Sequence, residues 1–359
     1  IIIRHNPLFF PLYLGVAGLG AIPAVLAYPN PRLHPDKFKS GVEGMSQRSG
    51  LDWIFTESDL EPIIAPLVSH EGSTIKGLHF PLEWDREFHL SGSMVEDLQS
   101  IRSATSERDP FLLQHSSGTT GLQKPVLLSQ KAVLDHVDNY AESIKLTEDD
   151  KIVSWLPLYH DMGLIAAFHL PLAFGITSIQ VDPFEWVLAP SLLFEALAAE
   201  KGSVTWLPNF AYSFMADRIE EDEMENVSLE TLRLVINCSE PVRNESHRKF
   251  TAAFEKYGFN SLALSASYAM AETTFAATQT TPGKPIVTIE VDRESLAQGQ
   301  VVPPISGKTS RICVSSGRDI DGCNVKIVDE SGNTVQENGV GEIVIYSVSM
   351  FDGYRNYPE

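Results

Sequence analysis

Six short runs constrain this chain more than any other feature: "FLLQH" (111–115), "PVLL" (125–128), "KIVSWL" (151–156), "SIQVD" (178–182), "SVTWL" (203–207) and "LRLVINC" (232–238). They are rich in β-branched or aromatic residues and mostly apolar without alternation, the pattern of strands covered on both faces. Helical patterns fall between them. Residues 130–145 follow Ser129 as a candidate N-cap and put Val133, Leu134, Val137, Ala141 and Ile144 on one face, and "PSLLFEALAAE" (190–200) is a second helix candidate. Short buried strands alternating with helices predict α/β layers. With 359 residues, 43% of them hydrophobic, the chain is long enough for about two domains of ~100–200 residues each.

From about residue 285 the texture changes. "KPIVTIEVD", "NVKIVDESGNTV" and "GEIVIYS" are separated by turn residues such as "ESGN", which predicts a smaller, mostly antiparallel β unit. Near the start, "LFFPLYLGVAGLGAIPAVLAY" (8–28) carries no charge and is long enough to span a bilayer. Its prolines and glycines favour instead a buried helix ending near "GAIP" and a short buried strand "AVLAY", with Pro23 at the break. No stable membrane insertion is expected.

Composition excludes some functions. Against 47 acidic side chains stand 27 basic ones, a net charge of −20, which offers no basic stripe to a nucleic-acid backbone. Three cysteines, Cys238, Cys313 and Cys323, form no CxxC pair, so neither a disulfide framework nor a zinc site is indicated and a reducing cytoplasm is the expected location.

The stretch "QHSSGTTGLQKP" (114–125) therefore stands out as a local concentration of donors. It lies between two apolar runs, so it connects two strands. Gly118 and Gly121 permit backbone conformations that turn successive N–H groups inward as an anion nest, Ser116, Ser117, Thr119 and Thr120 add hydroxyls, and Lys124 adds a charge. A polyphosphate suits that set; an ordinary solvated turn suits it as well. The spacing is not that of a GxxxxGK[ST] P-loop, since the glycines are three apart and Pro125 follows the lysine.

Further along, "SWLPLYHDMGLI" (154–165), "NCSEPV" (237–242), "SYAMAETTFA" (267–276) and "GVGEIVIYSVSMFDGY" (339–354) follow in order. Together with "SSGTTGLQK" they resemble the successive core motifs of the AMP-forming acyl-adenylating (ANL) superfamily, which contains acyl-CoA synthetases, peptide-synthetase adenylation domains and luciferases. "LPLYHDMGLI", "PNFAY" (208–212), "SEPV" and the pair Ala271–Glu272 are most similar to fatty acyl-AMP ligases.

The resemblance implies an architecture of two stacked αβ subdomains with mostly parallel sheets and a smaller antiparallel β-barrel-like subdomain. The expected boundaries are 1–165 with the phosphate-binding loop, 166–284 with the adenine and acyl site, and 285–359 for the β subdomain. It also implies a reaction. A carboxylate attacks the α-phosphorus of ATP, giving acyl-AMP and pyrophosphate, and a thiol then displaces AMP; the first step depends on positioning and charge neutralisation. The acid would be fatty or a related acyl acid. The thiol would be the phosphopantetheine of an acyl carrier protein or, in the alternative, free CoA. A silent ATP- or acyl-binding module that kept the fold is the competing reading of another class.

Residue roles follow by resemblance. Ser116, Ser117, Gly118, Thr119, Thr120, Gly121 and Lys124 would cradle the β- and γ-phosphates. Ser239, Glu240 and Pro241 would line one side of adenine and Tyr268 the other, with Ala269, Met270 and Ala271 completing the ATP-binding set. Glu272 matches the magnesium-binding glutamate, a single carboxylate that would hold Mg²⁺ together with phosphate oxygens and water. His160 would sit where the carboxylate meets the α-phosphate. Met162, Gly163, Phe210 and Ala266, with His160, are the candidates for the acyl pocket.

Departures are local. "LQKPV" replaces the usual Pro-Lys-Gly, Ala269 stands where many relatives have glycine, and Ala271 replaces a common threonine. The sequence stops at Glu359, ahead of the family's ribose-binding aspartate, hinge and small C-terminal lid domain with its catalytic lysine. The 359 residues alone are expected to bind ATP and a carboxylate and to adenylate little.

Overall fold

The computed structural model describes residues 1–29, 33–85, 91–116 and 123–356. These residues form sixteen strands, numbered β1 to β16 in chain order. The chain divides into two compact units, the first comprising Ile1–Val133, Pro157–Asp161 and Phe351–Glu359, the second Leu134–Leu156 and Met162–Met350.

In the first unit, β1 (Trp53–Phe55) pairs in parallel with β2 (Gly77–His79), and β3 (Pro110–His115) pairs antiparallel with β4 (Pro125–Ser129), which also takes β16 (Gly353–Tyr354) on its other side. Single bridges link the two groups of strands through extended segments: Ile2 to Thr56, and Ala24 to Leu113. The helix Pro35–Ser49 covers this framework. Its buried positions, Phe38, Val42, Ser46 and Ser49, recur every three or four residues and so share one stripe, and Gly50 ends it at φ 62°, a left-handed conformation that glycine adopts without a Cβ clash. Beneath lie Ile54, Ile64, Leu67, Ile75 and Leu113, all nearly or wholly buried, each stabilising by on the order of 2 kcal/mol.

The apolar stretch near the start behaves differently from the sequence expectation. The helix Phe9–Gly18 buries only Phe9 and Tyr13, and Leu14 and Leu19 are exposed. "AVLAY" is not a strand: Val25 and Leu26 are buried, yet Ala24 makes one isolated bridge, because the preceding Pro23 has no N–H and only its carbonyl pairs, with the Leu113 N–H at 3.0 Å. Among the described residues no helix is long and apolar enough to cross a membrane.

In the second unit, β5 (Lys151–Ser154), β6 (Thr177–Gln180), β7 (Val204–Pro208), β8 (Leu234–Cys238) and β9 (Leu264–Ala269) pair in parallel in the order β9-β8-β7-β5-β6. Antiparallel β10 (Ala276–Gln279) extends the sheet beyond β9. The chain then forms the ribbon β11 (Thr288–Asp292)/β12 (Ser310–Val314), returns to the sheet edge as β13 (Arg318–Asp319), and ends in the ribbon β14 (Cys323–Val328)/β15 (Glu342–Ser347). The antiparallel texture read after residue 285 is therefore present, as is the parallel α/β layer before it.

Every residue of β7 and β8 is buried, which explains their unbroken apolar pattern. Trp206 and Cys238 point to one face, where the Trp206 indole N–H donates to the Tyr140 hydroxyl at 2.8 Å and Cys238 meets Met162 at 3.0 Å. On the other face lie the helices Asn209–Arg218 and Asn244–Phe254, with Phe194, Tyr212, Phe250, Phe254 and Phe259 packed edge-to-face.

The helix Gln130–Ser143 begins where predicted, with the Ser129 hydroxyl accepting the Ala132 N–H at 3.1 Å. Val133, Val137, Ala141 and Ile144 are buried, but Leu134 is 45% exposed. At roughly 100° per residue Leu134 lies off the stripe, whose missed members are His136 and Tyr140, both fully enclosed.

Candidate functional site

The N-terminal edge of the parallel sheet is closed by charge. Asp150, just before β5, accepts from Arg233 just before β8 (Nε 2.7 Å, Nη2 2.5 Å) and from the Ser203 hydroxyl at 2.6 Å, just before β7. The C-terminal edge is where loops diverge, and ligands of open α/β sheets bind outside that end. All four candidate clusters of the second unit arise there or lead to it.

After β7, the Phe210 N–H donates to Glu240 Oε2 at 2.8 Å, and after β8 the Arg243 N–H donates to Asn209 Oδ1 at 2.9 Å. These two bonds join the start of the helix Asn209–Arg218, which carries Phe210, to the loop that carries Ser239–Pro241. Asn237, at the end of β8, ties the same junction from below, its amide nitrogen 3.3 Å from Asn209 Oδ1 and 2.8 Å from His247 Nε2. Burial lowers the His247 pKa to about 4, so its neutral ring accepts that bond. Ser239 itself has φ 67°, a conformation non-glycine residues seldom adopt, and its hydroxyl lies 3.8 Å from the Met162 sulfur. Met162 and Gly163 open a buried π-helical segment, Met162–His169, a distortion frequent at functional sites.

The next strand, β9, carries the remaining candidates. Ala266 is fully buried and pairs with Asn237; two residues on, Tyr268 and Ser239 stand at neighbouring strand ends. Tyr268 is 37% exposed, and its N–H is held by the Thr278 hydroxyl at 3.3 Å. Ala269 and Met270 follow, and the Met270 N–H closes the loop on the Phe275 carbonyl at 2.8 Å. Ala271 and Glu272 lie in the 3₁₀ turn Ala271–Thr273. Thr274 ends it at φ 69°, a rare conformation for a β-branched residue, secured by its N–H on the Ala271 carbonyl and its hydroxyl on the Ser349 carbonyl at 2.8 Å. The half-buried Glu272 is thus presented on a rigid turn. Among the described residues no cluster of three or more His, Cys, Asp or Glu could cage a metal.

The first unit holds the other candidates. Ser117, Gly118, Thr119, Thr120 and Gly121 lie outside the described residues. The base of their loop is described: the Ser116 N–H donates to the Lys124 carbonyl at 2.9 Å, and the Lys124 N–H to the Ser116 hydroxyl at 3.3 Å, just beyond the paired His115 and Pro125. The Lys124 ammonium lies 4.8 Å from the centre of the Tyr354 ring.

His160 and Asp161 belong to this unit. His160 Nδ1 lies 2.6 Å from Asp161 Oδ1, an ion pair in which the carboxylate is almost fully buried and the imidazole about one-third exposed. Burial alone would lower the His160 pKa; the Asp161 hydrogen bond and charge outweigh it, and the net shift is upward. Nδ1 is thereby committed to Asp161.

Sequence reasoning missed Asp161, Asn209 and Gln114. Asp161 was visible as the neighbour of His160, but its effect on the imidazole is a matter of rotamer and burial. An open groove of about 860 Å³ along the helix Asn244–Phe254, lined by Arg248, Lys249, Glu255 and Leu262 among others, contains none of the predicted residues.

Comparison with known proteins yields consistent matches. A family model described as "AMP-binding enzyme" matches residues 1–355. A medium-chain-fatty-acid–[acyl-carrier-protein] ligase of Moorena producens is 31% identical over 248 residues, covering 68% of this chain and 42% of that protein. A probable long-chain-fatty-acid–AMP ligase of Mycobacterium tuberculosis is 30% identical over 252 residues, covering 68% and 43%. Among solved structures, a fatty acyl-adenylate ligase from L. pneumophila, in complex with acyl adenylate and pyrophosphate, superposes with TM-score 0.85 at 27% identity, over 99% of this chain and 60% of that one. The adenylation domain of a keto acid-selecting peptide-synthetase module, at TM-score 0.81 and 17% identity, covers 99% of this chain and 66% of its own and shares the fold. The chain spans about half the length of the curated relatives it matches.

Proposed function

Since this chain belongs to the AMP-binding enzyme family, we propose that its function is to activate a carboxylic acid, fatty or of a related acyl class, by making acyl-AMP from ATP with release of pyrophosphate. The observation that carries this reading is the rigid presentation of Tyr268 near the end of β9 and Glu272 just after it, beside Ser239–Pro241 after β8, at the sheet edge where α/β proteins bind ligands.

In this reading Tyr268 covers one face of the adenine and Ser239, Glu240 and Pro241 the other, with Ala269, Met270 and Ala271 alongside. Glu272 holds the Mg²⁺ that accompanies the phosphates. Ser116 to Gly121 and Lys124 bind the β- and γ-phosphates. His160, kept cationic by Asp161 to higher pH than an ordinary histidine, neutralises charge where the carboxylate oxygen meets the α-phosphorus. Met162, Gly163, Phe210 and Ala266 flank the acyl chain. The bond formed is carboxylate oxygen to α-phosphorus and the bond broken is α-phosphorus to bridging oxygen, with pyrophosphate as leaving group.

Transfer to the phosphopantetheine thiol of an acyl carrier protein is the second half of the proposal, supported by the acyl-carrier-protein ligase among its relatives. Free CoA is the alternative acceptor.

The test is acid-dependent exchange of labelled pyrophosphate into ATP by the intact protein, screened over carboxylic acids and followed by addition of carrier protein or CoA. Exchange with at least one acid supports the reading, and the thiol that discharges the adenylate identifies the acceptor. ATP binding without exchange for any acid favours a silent binding module.

A further inference from the structure

One polar side chain interrupts the apolar run of β3. Gln114 is 2% exposed, and its amide nitrogen donates to the Tyr159 carbonyl at 2.9 Å and more weakly to the His115 carbonyl at 3.4 Å. Its Oε1 is buried without a hydrogen-bond partner among the described residues. A buried amide that leaves one acceptor unsatisfied costs stability relative to an apolar side chain, so packing does not explain its presence.

Position does. Gln114 stands two residues before the Ser116–Lys124 clamp that closes the base of the candidate phosphate loop. Tyr159 immediately precedes His160, whose own N–H is bonded to the Pro157 carbonyl at 3.2 Å and whose ring is bonded to Asp161. One side chain therefore spans from the strand that enters the loop to the turn that carries the imidazole, 45 residues away in sequence.

We infer that Gln114 is a positioning residue for the adenylation step: its amide fixes the His160 turn relative to the base of the phosphate loop. The inference rests on the proposed acid activation. Two variants test it. Gln114→Met keeps approximate volume and removes the donor. Gln114→Glu keeps the shape; ionised, it opposes the Tyr159 carbonyl with a second acceptor, and protonated, it donates again. Burial raises the pKa of such a carboxyl, so the switch falls within an accessible pH range.

The readouts are kcat of acid-dependent pyrophosphate exchange by the intact protein at about pH 5 to 8.5, divided by the wild-type value at the same pH so that the wild-type His160 titration cancels, together with ATP Kd by calorimetry. Gln114→Met is expected to lower kcat on the order of tenfold to a hundredfold at every pH, the scale of a misplaced catalytic group, with ATP Kd changed less than threefold. Gln114→Glu is expected to be as slow at the alkaline end and to recover as pH falls. A role confined to packing would give no such recovery. A Gln114→Met kcat within twofold of wild type, or a flat relative profile for Gln114→Glu, overturns the inference. Absence of exchange by the wild-type protein with any acid overturns the proposed function and this inference with it.

Discussion

The charge cluster at the N-terminal edge of the parallel sheet yields a stability prediction with a definite pH dependence. Asp150 is buried, which by itself would raise its pKa, but the bidentate Arg233 guanidinium, the Ser203 hydroxyl and the Thr147 N–H at 2.8 Å outweigh burial and hold it at about 2. From an ordinary value of 3.8, and at about 1.36 kcal/mol per pKa unit, the carboxylate contributes on the order of 2 kcal/mol, reduced toward 1 because the guanidinium is one-third exposed and screened. The sign follows from a depressed folded-state pKa. The contribution is complete above pH 3.8 and is lost as pH falls through about 2. Arg233→Met leaves the buried carboxylate with three weaker donors, the Ser203 hydroxyl and the Thr147 N–H and hydroxyl, and is expected to cost about 3 kcal/mol at pH 7, a cost that shrinks on acidification as Asp150 protonates in the variant first. Asp150→Asn in the same background should return part of the loss. Urea unfolding followed by the fluorescence of Trp155, Trp186 and Trp206, all in this unit, measures each value from pH 7 to pH 2.5. A loss below about 1 kcal/mol at pH 7, or one independent of pH, refutes the argument.

Three further outcomes follow from the same geometry. Phe250→Ala, inside the ring of Phe194, Tyr212, Phe254 and Phe259, should destabilise by about 3–5 kcal/mol in calorimetry, with ATP affinity of the folded fraction unchanged. Asp161→Asn removes the charge that outweighs burial, so the His160 pKa should fall; histidine-resolved NMR titration and the limb of the pH–rate profile that reports His160 should both move to lower pH, and an unmoved titration contradicts the assignment. Glu272→Gln should lower exchange at least tenfold and raise the Mg²⁺ concentration for half-maximal rate, while metal-free ATP binding stays as in the wild type; an unaltered Mg²⁺ dependence would remove Glu272 from the metal site.

Most strands were legible because burial leaves a local signature: each of the six apolar runs overlaps one of β3 to β8, although the edge strand β6 is partly exposed rather than covered on both faces, and the donor-rich stretch joins β3 to β4 as read. The helix start at Ser129 was legible for the same reason, since a cap is a local interaction. What escaped was set by partners distant in sequence. Leu134 lies on a helix whose buried stripe depends on Trp206 and Phe275, which draw in Tyr140 and His136 instead. Asp150 and Arg233 are 83 residues apart, and neither carries a motif. Gln114 carries no signal of its own within "FLLQH", because its partner Tyr159 is 45 residues away. The motif residues Ser239, Tyr268 and Glu272 could be named from resemblance, whereas the positive φ of Ser239 and Thr274 that shapes their loops is not written in residue type.

The central claim is that a carboxylate attacks the α-phosphorus of ATP. The most direct measurement is mass spectrometry of the nucleotide released when the intact protein turns over an acid labelled with ¹⁸O in its carboxylate, in the presence of ATP, Mg²⁺ and thiol acceptor. The account predicts AMP carrying one ¹⁸O atom from the acid, with unlabelled pyrophosphate. ADP as product, or AMP without the label, would contradict it.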